Sequence, residues 1–234
     1  MVSFHLKRVH LMKHFKIILF LFFIGPLIWA QDCLSGDCEN GFGIKKWSHS
    51  TYTGGFKDGY MDGKGKFSWD SGGSYEGQFR EDFFEGKGIR IYQDGAYYEG
   101  QFKYDKLHGL GKMTYANGNI YEGEWQFGYK HGQGKTLNED GYSYSGEYKF
   151  GDYNGKGKQQ WKNGDVFEGT FKDDYRDGYG EYSWSNGEVY KGSWKQGIKH
   201  GVGTTFNNNG TEIRKGLWFE GEYKSIKNRL LRKG

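Results

Sequence analysis

From residue 50 onward, aromatic and polar positions alternate in short runs, and the runs return in phase. The pattern aromatic-x-Gly-x-aromatic falls at Tyr52/Phe56, Tyr75/Phe79, Tyr98/Phe102, Tyr121/Trp125, Tyr144/Tyr148, Phe167/Phe171 and Tyr190/Trp194, each 23 residues after the last. A degenerate eighth copy at Arg214-x-Gly216-x-Trp218 follows after 24. A Gly-x-Gly signature keeps the same period from Gly63/Gly65 to Gly201/Gly203, with Gly41/Gly43 ahead of it and one residue out of phase. A turn ending in glycine recurs at Gly72, Gly95, Gly118, Gly141, Gly164, Gly187 and Gly210. Fixed periods of this size mark repeat architectures.

One unit reads as two strands. In Lys112–Trp125 (KMTYANGNIYEGEW), period-two alternation puts Tyr121, Gly123 and Trp125 on one face and Glu122 and Glu124 on the other. Asn117-Gly118 predicts a type I′ hairpin turn. The glycine between two same-face rings predicts a slot for a ring from a neighbouring strand. In the other connection, Gly59, Asp82, Asp105, Gly128, Gly151, Asp174 and Gly197 share a position that tolerates left-handed backbone. The predicted fold is all-β: an elongated, twisted antiparallel meander of roughly 15–16 strands at about 4.8 Å spacing. Its core is the fourteen anchor rings named above together with Trp218.

The Y-E-G-E-W…H-G-x-G…N-G pattern, clearest in Tyr121–Gly134 (YEGEWQFGYKHGQG), resembles the MORN repeat over roughly residues 41–223. The resemblance implies a sheet of stacked hairpins and no defined activity, since such repeats accompany kinases, methyltransferases and membrane-junction proteins. Tyr144-Ser145-Gly146 and Tyr190-Lys191-Gly192 depart from it by lacking the usual Glu, and the last unit lacks its Gly-x-Gly.

Composition then changes the picture in one respect. Leu, Ile, Val and Phe make only about 15% of residues 31–234, a level that would indicate disorder. Aromatic residues at 19% of the chain reverse that reading, so the chain folds around rings. The 41 glycines and single proline exclude collagen-like and proline-rich readings and disfavour helices.

Residues 1–30 read as a secretory signal peptide: a basic stretch, an apolar run over 17–28 and a small residue, Ala30, at the cleavage point. Met1 and Met12 both serve as possible starts, and an uncleaved anchor is the alternative. The expected location is therefore secreted, periplasmic or cell-surface. Lys7, Arg8, Lys13 and Lys16 account for the whole formal charge of +4, which leaves the mature chain neutral. A neutral surface disfavours nucleic acid as a partner. The remaining divisions are 31–48, a capping segment holding the cysteine pair, 49–223, the repeat array, and 224–234, a basic tail. The pair Cys33 and Cys38 reads as a local disulfide in an oxidising compartment. In the tail, Ile226, Leu230 and Leu231 share one helical face, which suggests a short capping helix or a contact with anionic lipid.

No motif carries catalysis. Gly128–Thr136 (GYKHGQGKT) approaches a phosphate-binding loop, but its first glycine stands one residue too early and no helix follows. His108, His131 and His200 share one slot, yet equivalent residues lie about 10 Å apart along such a sheet, too far for one zinc ion. The carboxylates recur by repeat phase, as on a solvated face, so neither an enzyme nor a cofactor is expected. The function expected is a non-catalytic extracytoplasmic scaffold that binds a protein or self-associates. Glycan or cell-wall polymer and lipid headgroups are the alternatives. Loops carry recognition more often than scaffold positions do, so Phe83 and Phe84 are the candidate partner contact. Packing against Tyr60 or Leu107 is the competing role for those two rings.

Overall fold

The computed structural model describes residues 32–224. The expected signal peptide and all of the basic tail beyond Lys224 lie outside them. The first strands are β1 (Asp32–Gly36), β2 (Phe42–Trp47), β3 (Ser50–Lys57), β4 (Tyr60–Trp69), β5 (Ser74–Arg80) and β6 (Phe83–Ile91). Then come β7 (Tyr97–Lys103), β8 (Lys106–Thr114), β9 (Ile120–Gln126), β10 (Tyr129–Leu137), β11 (Ser143–Lys149) and β12 (Asp152–Gln160). The last are β13 (Val166–Lys172), β14 (Tyr175–Ser183), β15 (Val189–Lys195), β16 (Ile198–Phe206), β17 (Glu212–Phe219) and β18 (Glu222–Lys224). Each pairs antiparallel with the next, giving one open meander of 18 strands. The count exceeds the expected 15–16 because Asp32–Gly36 and Glu222–Lys224 pair onto the ends without carrying the repeat signature.

The register explains the two glycines of Gly-x-Gly. The second, with the anchor glycine, forms a cross-strand line that includes Gly88↔Gly100, Gly100↔Gly111, Gly111↔Gly123 and Gly123↔Gly134. The same pairing runs outward to Gly43↔Gly54 at one end and Gly203↔Gly216 at the other. Across this line lies the anchor ring of the same strand: a Cβ at Gly111 or Gly100 would collide with Tyr98. The slot is therefore filled by the strand's own tyrosine, folded over the glycine two residues on, and not by a neighbouring strand's ring. The first glycine does other work. Gly86 and Gly109 have φ of 61° and 59° beside register shifts in the β5–β6 and β7–β8 pairs, where a bulge needs left-handed backbone.

The expected left-handed slot at Gly59, Asp82, Asp105, Gly128, Gly151, Asp174 and Gly197 has positive φ throughout, but the turn type expected at Asn117-Gly118 is found there instead. Asn117-Gly118 is not a type I′ turn, because only Gly118 has positive φ (80°). Gly118 N–H donates to Tyr115 O (2.9 Å) and Tyr115 N–H to Asn119 O (2.8 Å), which closes a three-residue loop with a glycine bulge. Type I′ geometry belongs to the other connection, as at Glu81-Asp82 (φ 49° and 71°), Tyr104-Asp105 (49° and 64°) and Phe127-Gly128 (49° and 92°). These turns lock each unit to the one before. Asp105 Oδ1 accepts from Phe84 N–H (2.7 Å), and Gly128 N–H donates to Leu107 O (2.8 Å).

Cys33 and Cys38 form a disulfide with Cα atoms 6.0 Å apart, across the β1–β2 connection. Cys38 is buried, and its sulfur lies where a side chain on Gly43 would sit. Residues 31–48 thus contribute two strands of the sheet itself. Cys38→Ser is expected to free β1, at a cost near the low end of the ~2–4 kcal/mol typical of a native disulfide. Hydrogen exchange should speed up over residues 32–47 and stay unchanged in β7–β12.

Candidate functional site

On one face, the anchor rings form an unbroken edge-to-face series. It runs Phe56–Tyr52–Phe79–Tyr75–Phe102–Tyr98–Trp125–Tyr121 and then Tyr148–Tyr144–Phe171–Phe167–Trp194–Tyr190–Trp218. Successive centroids lie 4.8–5.6 Å apart, the spacing at which tilted ring pairs attract. All fifteen rings are buried. The first tyrosine of each anchor pair donates its hydroxyl to the backbone carbonyl three residues on, as Tyr98 does to Gln101 O (3.0 Å) and Tyr121 to Glu124 O (2.8 Å), whereas the Tyr148 hydroxyl pairs with Thr136 Oγ1 (2.7 Å). Burial pushes the hydroxyls of Tyr52, Tyr75, Tyr98, Tyr121, Tyr144 and Tyr148 well above the usual phenol range, and that of Tyr190 up to about 12. This face is core, although it belongs to a single-layer sheet.

The opposite face is polar. Its lysines and glutamates pair across strands, as in Lys66–Glu76 (3.4 Å), Lys158–Glu168 (3.6 Å) and Lys191–Glu181 (2.8 Å). A shallow groove of 1060 Å³ crosses it, floored by ladder glycines and edged by Phe42, Lys64, Ile89 and Leu110. Among the described residues, no three His, Cys, Asp or Glu side chains gather as metal ligands. His108 faces Phe127 (4.9 Å), His131 faces Phe150 (5.5 Å) and His200 faces Phe219 (5.6 Å), so the shared histidine slot is part of a ring-lined edge.

That edge, made by the type I′ turns, is the candidate site. Phe83, Tyr104, Phe127, Tyr129 and Phe150 are exposed there in successive units. Phe83 meets Tyr104 edge-on (5.8 Å), and Tyr129 meets Phe150 (6.4 Å). The proposed pair Phe83/Phe84 divides. Phe84 is buried, stacked flat on Tyr75 at 3.8 Å and edge-on to Phe79 at 5.4 Å, so it is withdrawn as a contact. Phe83 alone faces outward, and the ring it meets is Tyr104. Sequence reasoning missed Tyr104, Phe127 and Phe150. Their φ values of 49°, 49° and 52° are unusual for aromatic residues. The signal was available: the same turn position holds Asp58 and Asp173 in other units.

The MORN repeat profile matches residues 52–74, 75–97, 98–120, 121–141, 144–166, 167–189 and 190–212. None of the curated proteins matches the chain. Among solved structures, it is similar to the G-box domain of the microcephaly protein CPAP, at 11% identity and a TM-score of 0.48 over 81% of this chain and 100% of that one. It is also similar to the TCP domain of SAS-4 from Drosophila melanogaster, solved with a proline-rich motif of Ana2 (12% identity, TM-score 0.42, 65% of this chain and 83% of that one). A third is the TCP10 domain of CPAP from Danio rerio (10%, TM-score 0.36, 75% and 89%).

Proposed function

The chain belongs to the MORN repeat family, and on that premise we propose that it is a non-catalytic extracytoplasmic scaffold whose type I′ turn edge holds a protein partner. The observation that carries this reading is the pairing of exposure with backbone strain at Tyr104, Phe127 and Phe150. A left-handed backbone costs a residue with a Cβ about 1–2 kcal/mol, and Asn or Gly would lower that cost. Rings kept at such positions, facing solvent, contribute little to the core. Together with Phe83 and Tyr129 they line one edge of successive units with exposed rings, and exposed apolar surface marks interaction sites. A glycan reading finds less support, because Tyr75, Phe79, Tyr98, Phe102, Tyr121 and Trp125 are buried in one another and offer sugars no face.

The test is a pull-down from the extracytoplasmic fraction with wild type and with Tyr104→Asn/Phe127→Asn/Phe150→Asn. A protein held by the wild type and lost by the folded variant supports the reading. Equal capture by both moves the partner off this edge.

A further inference from the structure

The two faces treat their charges differently, and from that difference we propose that the ring-bearing face binds an extended acidic polypeptide segment. On the polar face, Lys66, Lys158 and Lys191 each meet a glutamate. On the ring face, Lys45, Arg90, Lys130, Arg176 and Lys199 lie over aromatic rings, and among the described residues none forms an ion pair with a carboxylate. Lys199 Nζ stands 4.4 Å from the Trp184 centroid and 4.6 Å from those of Tyr190 and Trp218. The Arg90 guanidinium is 4.1 Å from Trp69, and its buried Nε has no hydrogen-bond partner. Burial holds the pKa of Lys130, Lys199, Arg90 and Arg176 below their ordinary values.

Packing does not require a charge in the slot of Lys130, Arg176 and Lys199, although Arg176 Nη2 also donates to Gly197 O (2.9 Å). Lys130, Arg176 and Lys199 occupy the slot just after the type I′ turn, where other units carry Met61, Phe84, Leu107 and Tyr153. Phe84 and Tyr153 stack flat on the anchor rings Tyr75 and Tyr144, at 3.8 and 3.7 Å, and fill the slot without charge. A half-buried cation with no carboxylate within ion-pair distance carries a desolvation penalty, which Asp174 near Lys130, Asp105 near Arg90 and Glu188 near Lys199 relieve only in part and an arriving carboxylate would offset further.

The spacing identifies the occupant. Lys45, Arg90, Lys130 and Arg176 stand on β2, β6, β10 and β14, four strands apart, or about 19 Å at ~4.8 Å per strand, and Lys199 on β16 stands two strands farther on. An extended chain rises about 3.3 Å per residue, so carboxylates about six residues apart would meet the first four in turn. The cations are recessed between rings. A side-chain carboxylate on a flexible stem reaches such a position. A planar bilayer surface, or a uronate fixed to its sugar ring, does so less readily.

The probe is a labelled peptide of about 20 residues with four glutamates about six apart, compared with its all-glutamine counterpart by fluorescence anisotropy on the full chain in about 50 mM salt, where screening is modest. The glutamate peptide should bind about tenfold tighter or better, a difference of one decade in Kd. Lys130→Leu/Arg176→Met/Lys199→Met should remove that advantage with an unchanged or higher melting temperature. Equal binding of the two peptides to wild type overturns the proposal, and so does undiminished binding by the variant. A fall in melting temperature would make the cations structural and overturn it too. Tighter binding of phosphatidylserine vesicles or polygalacturonate, lost in the same variant, would assign the face to a lipid or a glycan instead. The proposal stands apart from the turn edge: Tyr104→Asn/Phe127→Asn/Phe150→Asn should bind the peptide as wild type does.

Discussion

Gly111→Val is expected to lower the unfolding free energy by about 3 kcal/mol, the upper part of the range for overpacking a filled core. The added Cβ would enter the space of the Tyr98 ring and hydroxyl, and Gly100 and Gly123 flank the site across the sheet. Tyr98 cannot yield freely, because it packs edge-on against Phe102 at 5.1 Å and Trp125 at 5.6 Å and donates to Gln101 O. Repeat arrays take their stability from neighbour contacts, so the damage should centre on β7–β9 and divide the array there. The control is Leu110→Val, one residue away on the polar face and 66% exposed. It should change stability by no more than about 0.5 kcal/mol. Chemical denaturation of the two variants checks this, and similar losses for both would remove the special role given to the glycine line.

Alkali should unfold this protein steeply. The anchor tyrosines have folded pKa values raised by burial, that of Tyr190 to about 12 and the others higher, against about 10 in an unfolded chain. The folded state therefore holds protons that the unfolded state has released. The stability they contribute is complete below pH ~10 and is lost as pH rises through the folded values, at ~1.4 kcal/mol per unit for each tyrosine. Several tyrosines acting together make the loss large. Melting temperatures between about pH 9 and 12 should be flat at first and then collapse. Tyr121→Phe should soften the collapse, at a neutral-pH cost of about 1 kcal/mol for its bond to Glu124 O. Phe167 already stands in this slot two units on, buried and edge-on to Trp194 at 5.3 Å. A melting temperature indifferent to alkali would contradict the burial of these hydroxyls.

Much of this architecture was legible in the residues because a repeat states its rule many times. The 23-residue period, the alternation of Tyr121, Gly123 and Trp125 with Glu122 and Glu124, and the meander all follow from spacing. What escaped depends on contacts between units. Asn117-Gly118 satisfies the local preference for a type I′ turn, yet Tyr104-Asp105 and Phe127-Gly128 adopt one, because hydrogen bonds to Phe84 N–H and Leu107 O hold each turn against the preceding unit. β1 and β18 escaped because pairing to an edge needs no repeat signature. Phe83 and Phe84 are chemically alike, and only comparison of Phe84 with Met61 and Leu107 in the same slot shows which ring turns inward. The same comparison picks out Lys130 and Lys199 as cations in a slot that Met61, Phe84 and Leu107 fill without charge.

Rings that build the sheet and rings that it presents are separate sets, and one melting experiment distinguishes them. In Tyr104→Asn/Phe127→Asn/Phe150→Asn, three exposed rings at left-handed turn positions give way to a residue that tolerates that backbone. The melting temperature of this variant should equal the wild type's or exceed it. A clear drop would mean that these rings hold the array together, and the turn edge would lose its standing as the binding surface.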